Sequence, residues 1–246
     1  MTDSFSLEGK TILVTGASSG IGRQACMSIA ERGGTIVATG RDRERLEATL
    51  HMLEGKGHRG IEADLTQIPA AFGDELPSLH GALHCAGITK QVPFAFLTQK
   101  HLSEIHAINY EAPMLLTRTI LKSRRIAEGG SIVFVTSIAA FSGLKALSAY
   151  SASKAALIAA ARVLALEIAC RGIRANCIAP GMVETPMARQ AEETVSSESM
   201  DQHRLLYPLG FGQPQDVANA AVFLLSDASR WITGTTLILD GGYTCQ

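Results

Sequence analysis

The chain carries almost no net charge. Its 22 Lys and Arg against 23 Asp and Glu leave −1 at neutral pH. No global field therefore draws it to nucleic acid or to an anionic membrane surface. Paired cysteines are missing too: Cys26, Cys85, Cys170, Cys177 and Cys245 are odd in number and scattered, with no Cys-x-x-Cys. Neither a disulfide framework nor a zinc site is indicated, and free thiols fit a reducing, cytoplasmic compartment. The seven histidines show no metal-ligand spacing, so no metal is expected. No run of about 18 apolar residues is present to span a membrane. Met1–Lys10 lacks the basic-then-apolar plan of a signal peptide. No internal repeat, low-complexity tract or linker divides the 246 residues, of which 46% are hydrophobic. One α/β domain over 1–246 is expected.

What the chain has is an alternation of short apolar runs with helical patterns. Thr11-Ile12-Leu13-Val14-Thr15 reads as a buried strand. Gly16-Ala17-Ser18-Ser19-Gly20-Ile21-Gly22 follows at once, then a helical pattern to Gly33. Strand, glycine-rich turn and helix bring backbone close to a ligand and aim a helix N-terminus at an anionic group. The spacing is Gly-x-x-x-Gly-x-Gly rather than Gly-x-Gly-x-x-Gly. Further strands are expected at Thr35–Thr39, Gly60–Ala63, Ala82–Cys85, Ile132–Thr136, Arg174–Ile178 and Thr236–Leu239. Such a pattern predicts a Rossmann-type doubly wound parallel sheet of about seven strands with helices on both faces. Helices are expected from about His101 to Ala127, from Tyr150 to Gly172 and from Gln213 to Leu225. Thr185 to Tyr207, polar and weakly periodic, is a candidate lid.

Tyr150 and Lys154 are four residues apart at the start of an Ala-rich helix, so their side chains project side by side. A free tyrosine titrates near ~10; bringing it to ~7 requires roughly 4 kcal/mol. An ammonium ~4 Å away, at an effective dielectric of ~20, supplies about that much. The pair is therefore a candidate acid/base at working pH. Arg162 is the only charge between Lys154 and Glu167. A helix so apolar is expected to meet the sheet on one side and a partner subunit on another. Ser137 follows the fifth strand, at the end where open α/β sheets bind ligands. Pro113 lies inside the helix expected over 101–127 and has no N–H for the Asn109 carbonyl. A kink is expected there, leaving that carbonyl for another donor.

The second strand ends in Thr39-Gly40, without the acidic residue that holds a ribose 2′-hydroxyl about 20 positions after the glycines. Arg41 comes next, and its planar fork suits a 2′-phosphate. Ser18 and Ser19 add donors. NADP(H) is expected over NAD(H). In the alternative, Asp42 turns back to the ribose and NAD(H) is used; otherwise Asp42 starts the next helix as its cap.

Taken together, Thr15–Gly22, Cys85-Ala86-Gly87, Asn109, Ser137, Tyr150-Ser151-Ala152-Ser153-Lys154, Asn176 and Pro180–Pro186 resemble the short-chain dehydrogenase/reductase family, single-domain branch. The ordered set covers nearly the whole chain. The nearest likeness is to bacterial 3-oxoacyl-carrier-protein reductases. The resemblance implies hydride transfer between a nicotinamide cofactor and a carbonyl/alcohol substrate. By it, Tyr150 is the general acid/base and Ser137 hydrogen-bonds the same substrate oxygen. Lys154 holds the nicotinamide ribose and lowers the tyrosine pKa. The Asn109 carbonyl binds a water in a proton relay. Cofactor contacts fall on Gly16, Ser18, Ser19, Gly20, Ile21 and Gly22, and on Arg41. Asp64 stands at the adenine amine, with Leu65 beside it. Cys85, Ala86 and Gly87 follow, then Pro180, Gly181, Val183 and Thr185 at the nicotinamide.

A homodimer or homotetramer is implied, acting on a small molecule or a carrier-bound acyl thioester. Arg124, Arg125 and Arg171 are candidates to meet an acidic carrier; solvated helix-end charges are the plainer account. Ile88, Phe94, Phe96, Ile138, Phe141, Leu144 and Met187 suggest a partly apolar substrate pocket. The chain departs from the family in having His84-Cys85 where Asn-Asn is usual, and in a shorter stretch from Asp64 to Ala82. Two rival readings stand beside this one. A nucleotide-sugar epimerase or dehydratase usually adds a C-terminal substrate domain and uses Gly-x-x-Gly-x-x-Gly. A non-catalytic cofactor sensor should have lost one of Asn109, Ser137, Tyr150 or Lys154, and all four are present.

Overall fold

The computed structural model describes residues 3–68, 72–192 and 197–245. The strands are β1 (Thr11–Thr15), β2 (Thr35–Gly40), β3 (Arg59–Glu62), β4 (Leu79–His84), β5 (Ile126–Val135), β6 (Arg174–Pro180) and β7 (Thr236–Leu239). They form one parallel sheet in the order β3-β2-β1-β4-β5-β6-β7. Between them run α1 (Gly20–Glu31), α2 (Arg43–Leu50), α3 (Phe72–Glu75), α4 (Gln99–His106), α5 (Ala112–Lys122), α6 (Ser148–Ile168), α7 (Pro186–Glu192), α8 (Ser197–Leu205) and α9 (Pro214–Leu225). This is the doubly wound architecture expected. The winding reverses between β1 and β4, and the crevice beyond their carboxyl ends is where such sheets bind ligands.

Alternation along the strands explains why one sheet supports two cores. Ile12 and Val14 face the layer closed by α1, α2 and α9, while Leu13 faces the layer of α3, α5 and α6. On β5, Val133 and Val135 join the first layer, and Ile132 and Phe134 the second. A strand covered on both faces reads as an unbroken apolar run. Each such fully buried side chain contributes roughly 1.5–3 kcal/mol.

The helix expected over 101–127 is three pieces. Thr98 caps α4, which runs into a π-turn, Ala107–Glu111, before α5 begins. In the π-turn the Ala112 N–H bonds the Ala107 carbonyl, five residues back. Pro113 then sits in the first turn of α5, where a missing N–H costs least. The expected kink takes the form of this wide turn. Ile126 and Ala127 are not helical. Arg124 adopts φ +53 and β5 starts at Ile126. There β5 pairs with Leu79, slips, and resumes at Ser131 opposite Gly81. The expectation of a strand from Ile132 saw only its regular half, and β4 likewise starts at Leu79 rather than Ala82. At its far end α6 closes with a 3-10 turn, Ala169–Arg171, and Gly172 at φ +66, a left-handed stop that suits glycine.

The short stretch from 64 to 82 holds α3 and the start of β4 among its described residues; 69–71 lie outside them. Of the candidate lid, the described parts form α7 and α8, and 193–196 lie outside.

Candidate active site

The glycine-rich turn is tight because two positions leave no room for a side chain. A Cβ on Gly22 would lie 2.3 Å from the Gly16 carbonyl oxygen. One on Gly16, at φ +65, would lie 2.9 Å from the Ala86 backbone. The turn therefore packs against the loop after β4, whose Cys85 and Ala86 N–H groups both donate to Thr15 Oγ1 at 3.1 Å. From behind, Arg23 donates to the Ser18 carbonyl at 2.6 Å and to Thr49 Oγ1 at 3.0 Å. Thr49 in turn donates to the Ala17 carbonyl at 3.0 Å. Ser19 precedes α1 without a side-chain cap bond, which leaves first-turn N–H groups for an anionic ligand.

A cavity of about 250 Å³ runs along this turn. Gly16, Ser18, Ser19, Gly20, Ile21 and Gly22 line it, with Arg41 after β2, Asp64 and Leu65 after β3, Cys85, Ala86 and Gly87 after β4, and Thr185. Asp64 accepts from the Thr66 N–H at 2.9 Å and from its hydroxyl at 2.7 Å. Those bonds hold its carboxyl below the ordinary range, and Arg41 adds a smaller pull. Asp42 takes no part in the lining. It caps α2, accepting from the Arg45 N–H at 3.0 Å and pairing with the Arg45 Nε at 3.3 Å. The cap reading of Asp42 holds, and the ribose alternative loses its carboxylate.

A second cavity of about 200 Å³ adjoins the first, sharing Ile21, Cys85, Gly87, Ile88, Thr185 and Met187. Ser137, Tyr150, Lys154, Pro180, Gly181 and Val183 line it. Lys154 is 5% exposed, and its ammonium donates to the Val135 carbonyl at 2.9 Å. It lies 5.8 Å from the centre of the Tyr150 ring. Burial pulls Lys154 down to about 8. Burial also pushes the Tyr150 phenol up from its ordinary value, and hydrogen bonding from Ser137 draws it part of the way back. The expected lowering by Lys154 is thus overridden here. Counting charge alone left out desolvation, which penalises the phenolate.

Asn109 lines neither cavity. Fully buried, its Oδ1 accepts from the Ile88 N–H at 2.8 Å, and its Nδ2 donates to the Ile88 carbonyl at 2.9 Å and to Ser153 Oγ at 3.1 Å. Ser153 donates on to the Tyr150 carbonyl at 2.7 Å. The side chain thus ties the loop after β4 to the helix of the tyrosine. A Cβ on Gly87 would lie 3.4 Å from Lys154 Nζ, so that loop runs close beside the lysine. Asn176 has a comparable task on β6: it donates to the Ile232 carbonyl at 2.9 Å and accepts from the Thr235 N–H at 3.1 Å.

His84 and Cys85 point different ways. His84 turns from the cleft, stacked on Phe134 at 4.9 Å with its Nε2 3.0 Å from Thr117 Oγ1. Burial drives its pKa down to about 3, so the ring is neutral. Cys85 lines both cavities, and burial pushes its thiol up to about 12. Its hydrogen bond to the rest of the site is the backbone one to Thr15.

Several expected pocket residues fall elsewhere. Ile88, Ile138, Leu144 and Met187 line the second cavity. Phe94 and Phe96 stand in an exposed 3-10 turn, and half-exposed Phe141 lines a separate groove with Leu206 and Tyr243. Arg125 donates to the Asp74 carbonyl at 3.1 Å and Arg171 to the Ile126 carbonyl at 2.8 Å. With Arg124 they stand where β5 and β6 begin, at the end of the sheet away from the cleft. Several wall residues escaped the sequence reading, among them Thr89, Gln91, His203 of α8 and Tyr207 just beyond it. The Tyr207 hydroxyl accepts from the Met182 N–H at 3.2 Å. A Cβ on Gly181 would lie 2.8 Å from the Tyr207 ring. The only available cue was a glycine after Pro180 with an aromatic residue further on, too weak to pair them.

Comparison with known proteins adds to this geometry. Residues 16–244 match a family model described as enoyl-(acyl carrier protein) reductase. D-threitol dehydrogenase of Mycolicibacterium smegmatis is 35% identical over 251 residues, 98% of this chain and 95% of that one. The 3-oxoacyl-[acyl-carrier-protein] reductase of Aquifex aeolicus is 32% identical, over 96% of this chain and 98% of its own. A solved structure from Beutenbergia cavernae, described as an NAD(P)-dependent gluconate 5-dehydrogenase with NADP bound at low occupancy, superposes with a TM-score of 0.91. It is 31% identical and covers 99% of this chain and 100% of that one.

Proposed function

The chain belongs to the short-chain dehydrogenase/reductase family, and from that premise we propose an NADP(H)-preferring enzyme with Tyr150 as its acid/base. Membership makes it an NAD(P)-dependent oxidoreductase that transfers hydride to or from a C=O/CH–OH group. The observation that carries the residue assignment is convergence: Ser137, Tyr150 and Lys154 share one cavity, and it opens onto the glycine cradle.

The residues present fit a dinucleotide. Gly16 and Gly22 leave the space that a pyrophosphate needs at the start of α1. Pro180, Gly181, Val183 and Thr185 would hold the nicotinamide, and Lys154 its ribose. Bound there, the nicotinamide supplies or accepts the hydride. Tyr150, protonated at working pH because burial raises its phenol, gives its proton to the substrate's carbonyl oxygen. Ser137 steadies that oxygen by donating its hydroxyl. Lys154, with its pKa near 8, holds positive charge close to the tyrosine as the proton leaves and can pass a proton on at neutral pH. For alcohol oxidation the same groups run in reverse. The Asn109 side chain positions the loop that flanks them, and its carbonyl is the proposed site of the relay water.

NADP(H) over NAD(H) is supported by Arg41 and Ser18 in the first cavity and by the commitment of Asp42 to α2. A homodimer or homotetramer is supported by an exposed apolar stripe on α6, where Val163 is 57% and Leu166 82% exposed. Free thiols support a cytoplasmic setting. Among the described residues no helix is long and apolar enough to cross a membrane. Residues 1–246 would act as one domain. The named relatives take a polyol, a sugar acid and a carrier-bound 3-oxoacyl group; the small second cavity favours the smaller substrates. The test is Tyr150→Phe, assayed over a panel of ketones with NADPH. Turnover should fall by ~10²–10⁴-fold while NADPH affinity is kept. Wild-type-like turnover would remove Tyr150 from the mechanism. Cofactor binding without turnover in the wild type would favour the sensor reading.

A further inference from the structure

Part of the second cavity's wall has no role in the steps above. His203 lines it from α8. Three aromatic rings surround the imidazole: Tyr207 at 5.4 Å and Tyr243 at 5.9 Å edge-on, and Phe211 at 5.9 Å tilted. Packed this way, the ring has a set orientation, yet its nitrogens have no hydrogen-bond partner among the described residues. Around it the cavity is largely apolar. Its cation, Lys154, donates to the Val135 carbonyl and stands beside Tyr150. Arg204, beside His203 in sequence, lies over the Phe211 ring at 4.2 Å and reaches Glu184 at 3.5 Å. Among the described residues that line this cavity Lys154, already placed at the ribose and Tyr150, is the only lysine or arginine available to a substrate carboxylate.

We propose that His203 determines specificity by hydrogen-bonding a hydroxyl on the substrate, so that the cavity selects small, neutral hydroxy-ketones and their diols. A neutral imidazole offers one donor and one acceptor, the complement of a hydroxyl's own acceptor and donor. Burial lowers the His203 pKa, which keeps the ring in that form near neutrality. A plain ketone would cover those nitrogens and leave them unpaired, which is how sites built around a hydroxyl reject its deoxy analogue. At about 200 Å³ the cavity is below the ~300–1,000 Å³ of drug-sized ligand sites. Tyr150 and His203 line this same cavity, so the hydroxyl that His203 would hold belongs to the molecule reduced at Tyr150. The assignment rests on reduction at Tyr150, and its test must separate the two.

The probes are acetoin, its deoxy counterpart butanone, and acetoacetate, which carries a carboxylate. With NADPH-loaded wild type, kcat/KM for acetoin should exceed that for butanone by about 10- to 100-fold. His203→Leu should bring the two within about threefold of each other while butanone's own value stays level, which shows the variant is folded. His203→Asn, which still has a donor and an acceptor, should restore part of the margin. Calorimetry on the NADPH complex of Tyr150→Phe reads the same margin as binding, without turnover, and acetoacetate should bind weakest. A margin that survives His203→Leu, a wild type without one, or acetoacetate binding above acetoin would overturn the proposal. If no ketone is reduced yet the His203-dependent binding margin holds, the reduction reading fails and the role of His203 stands.

Discussion

The two cavities of the cleft are shaped by opposite means. The first, beyond β1, β2 and β3, is made of backbone: glycines whose missing Cβ atoms let the chain pass close, with Arg41 and Asp64 at the surface beside them. The second, beyond β4, β5 and β6, is walled by side chains and backed by polar groups taken out of water: Lys154 lines it, and Asn109, Ser153 and His84 are buried behind it. One half needs room and the other tolerates desolvation. Damage to the first should therefore show in cofactor affinity, and damage to the second in chemistry, stability and their pH dependence.

Lys154→Met tests the buried half hardest. Turnover should fall by at least ~10²-fold, while the folded protein becomes more stable. Burial lowers the lysine from 10.5 to about 8, and a shift of that size costs roughly 3 kcal/mol at neutral pH. The sign follows from linkage. Between pH 8 and 10.5 the unfolded chain holds the proton more often than the native state, so wild-type stability rises with pH there. The gain from methionine should be full below about pH 8 and fade by 10.5. Calorimetric melting at both ends of that window checks it; a variant melting lower than wild type at pH 7 would show that the lysine is a net stabiliser.

Gly22→Ala attacks the backbone half. With the Gly16 carbonyl 2.3 Å from the added carbon, the turn must shift, at a cost of about 1–3 kcal/mol. NADPH and NADH should weaken together, since the shared pyrophosphate seat is lost. Unchanged titrations would mean that the turn is not that seat. Arg41→Ala divides the two cofactors instead. A charge-assisted bond contributes roughly 1.5–3 kcal/mol, so NADPH should lose about 10- to 150-fold and NADH little. Equal losses would place the guanidinium away from the 2′-phosphate.

The smallest effect belongs to His84. Its pKa falls from 6.5 to about 3 on burial, so its contribution is complete above pH 6.5 and lost as pH drops toward 3. Wild type should lose about 1 kcal/mol over the first pH unit below 6.5 on this account. His84→Phe, which keeps the stack on Phe134, should flatten that slope in denaturant titrations.

The contrast also explains what could be read from the sequence. The apolar strand runs, the glycine turn and the Tyr150–Lys154 spacing are local patterns, and each lies in the kind of element expected. The candidate cofactor contacts sit together because the carboxyl ends of parallel strands do. What local pattern could not carry was assembly between distant segments. The Asn109 amide reaching Ile88 and Ser153 joins three elements, and the wall made by His203 and Tyr207 depends on the end of α8 returning to Gly181 and Met182 after β6. The slip between Leu79 and Gly81 hid half of β5, because irregular pairing erases the apolar run that marks a strand. The tyrosine's pKa was misjudged for the same reason. Burial belongs to the fold, and a spacing of four residues says nothing of it.

The Asn109 clamp has a consequence for how a ligand arrives. Both ends of its amide are engaged, two bonds to the backbone N–H and C=O of one residue and a third to the neighbouring helix. Gly87 and Ile88 are thereby fixed before anything enters the cleft. The disorder surrendered in shaping that wall was given up when the chain folded, so encounter need not wait for the loop to find its shape.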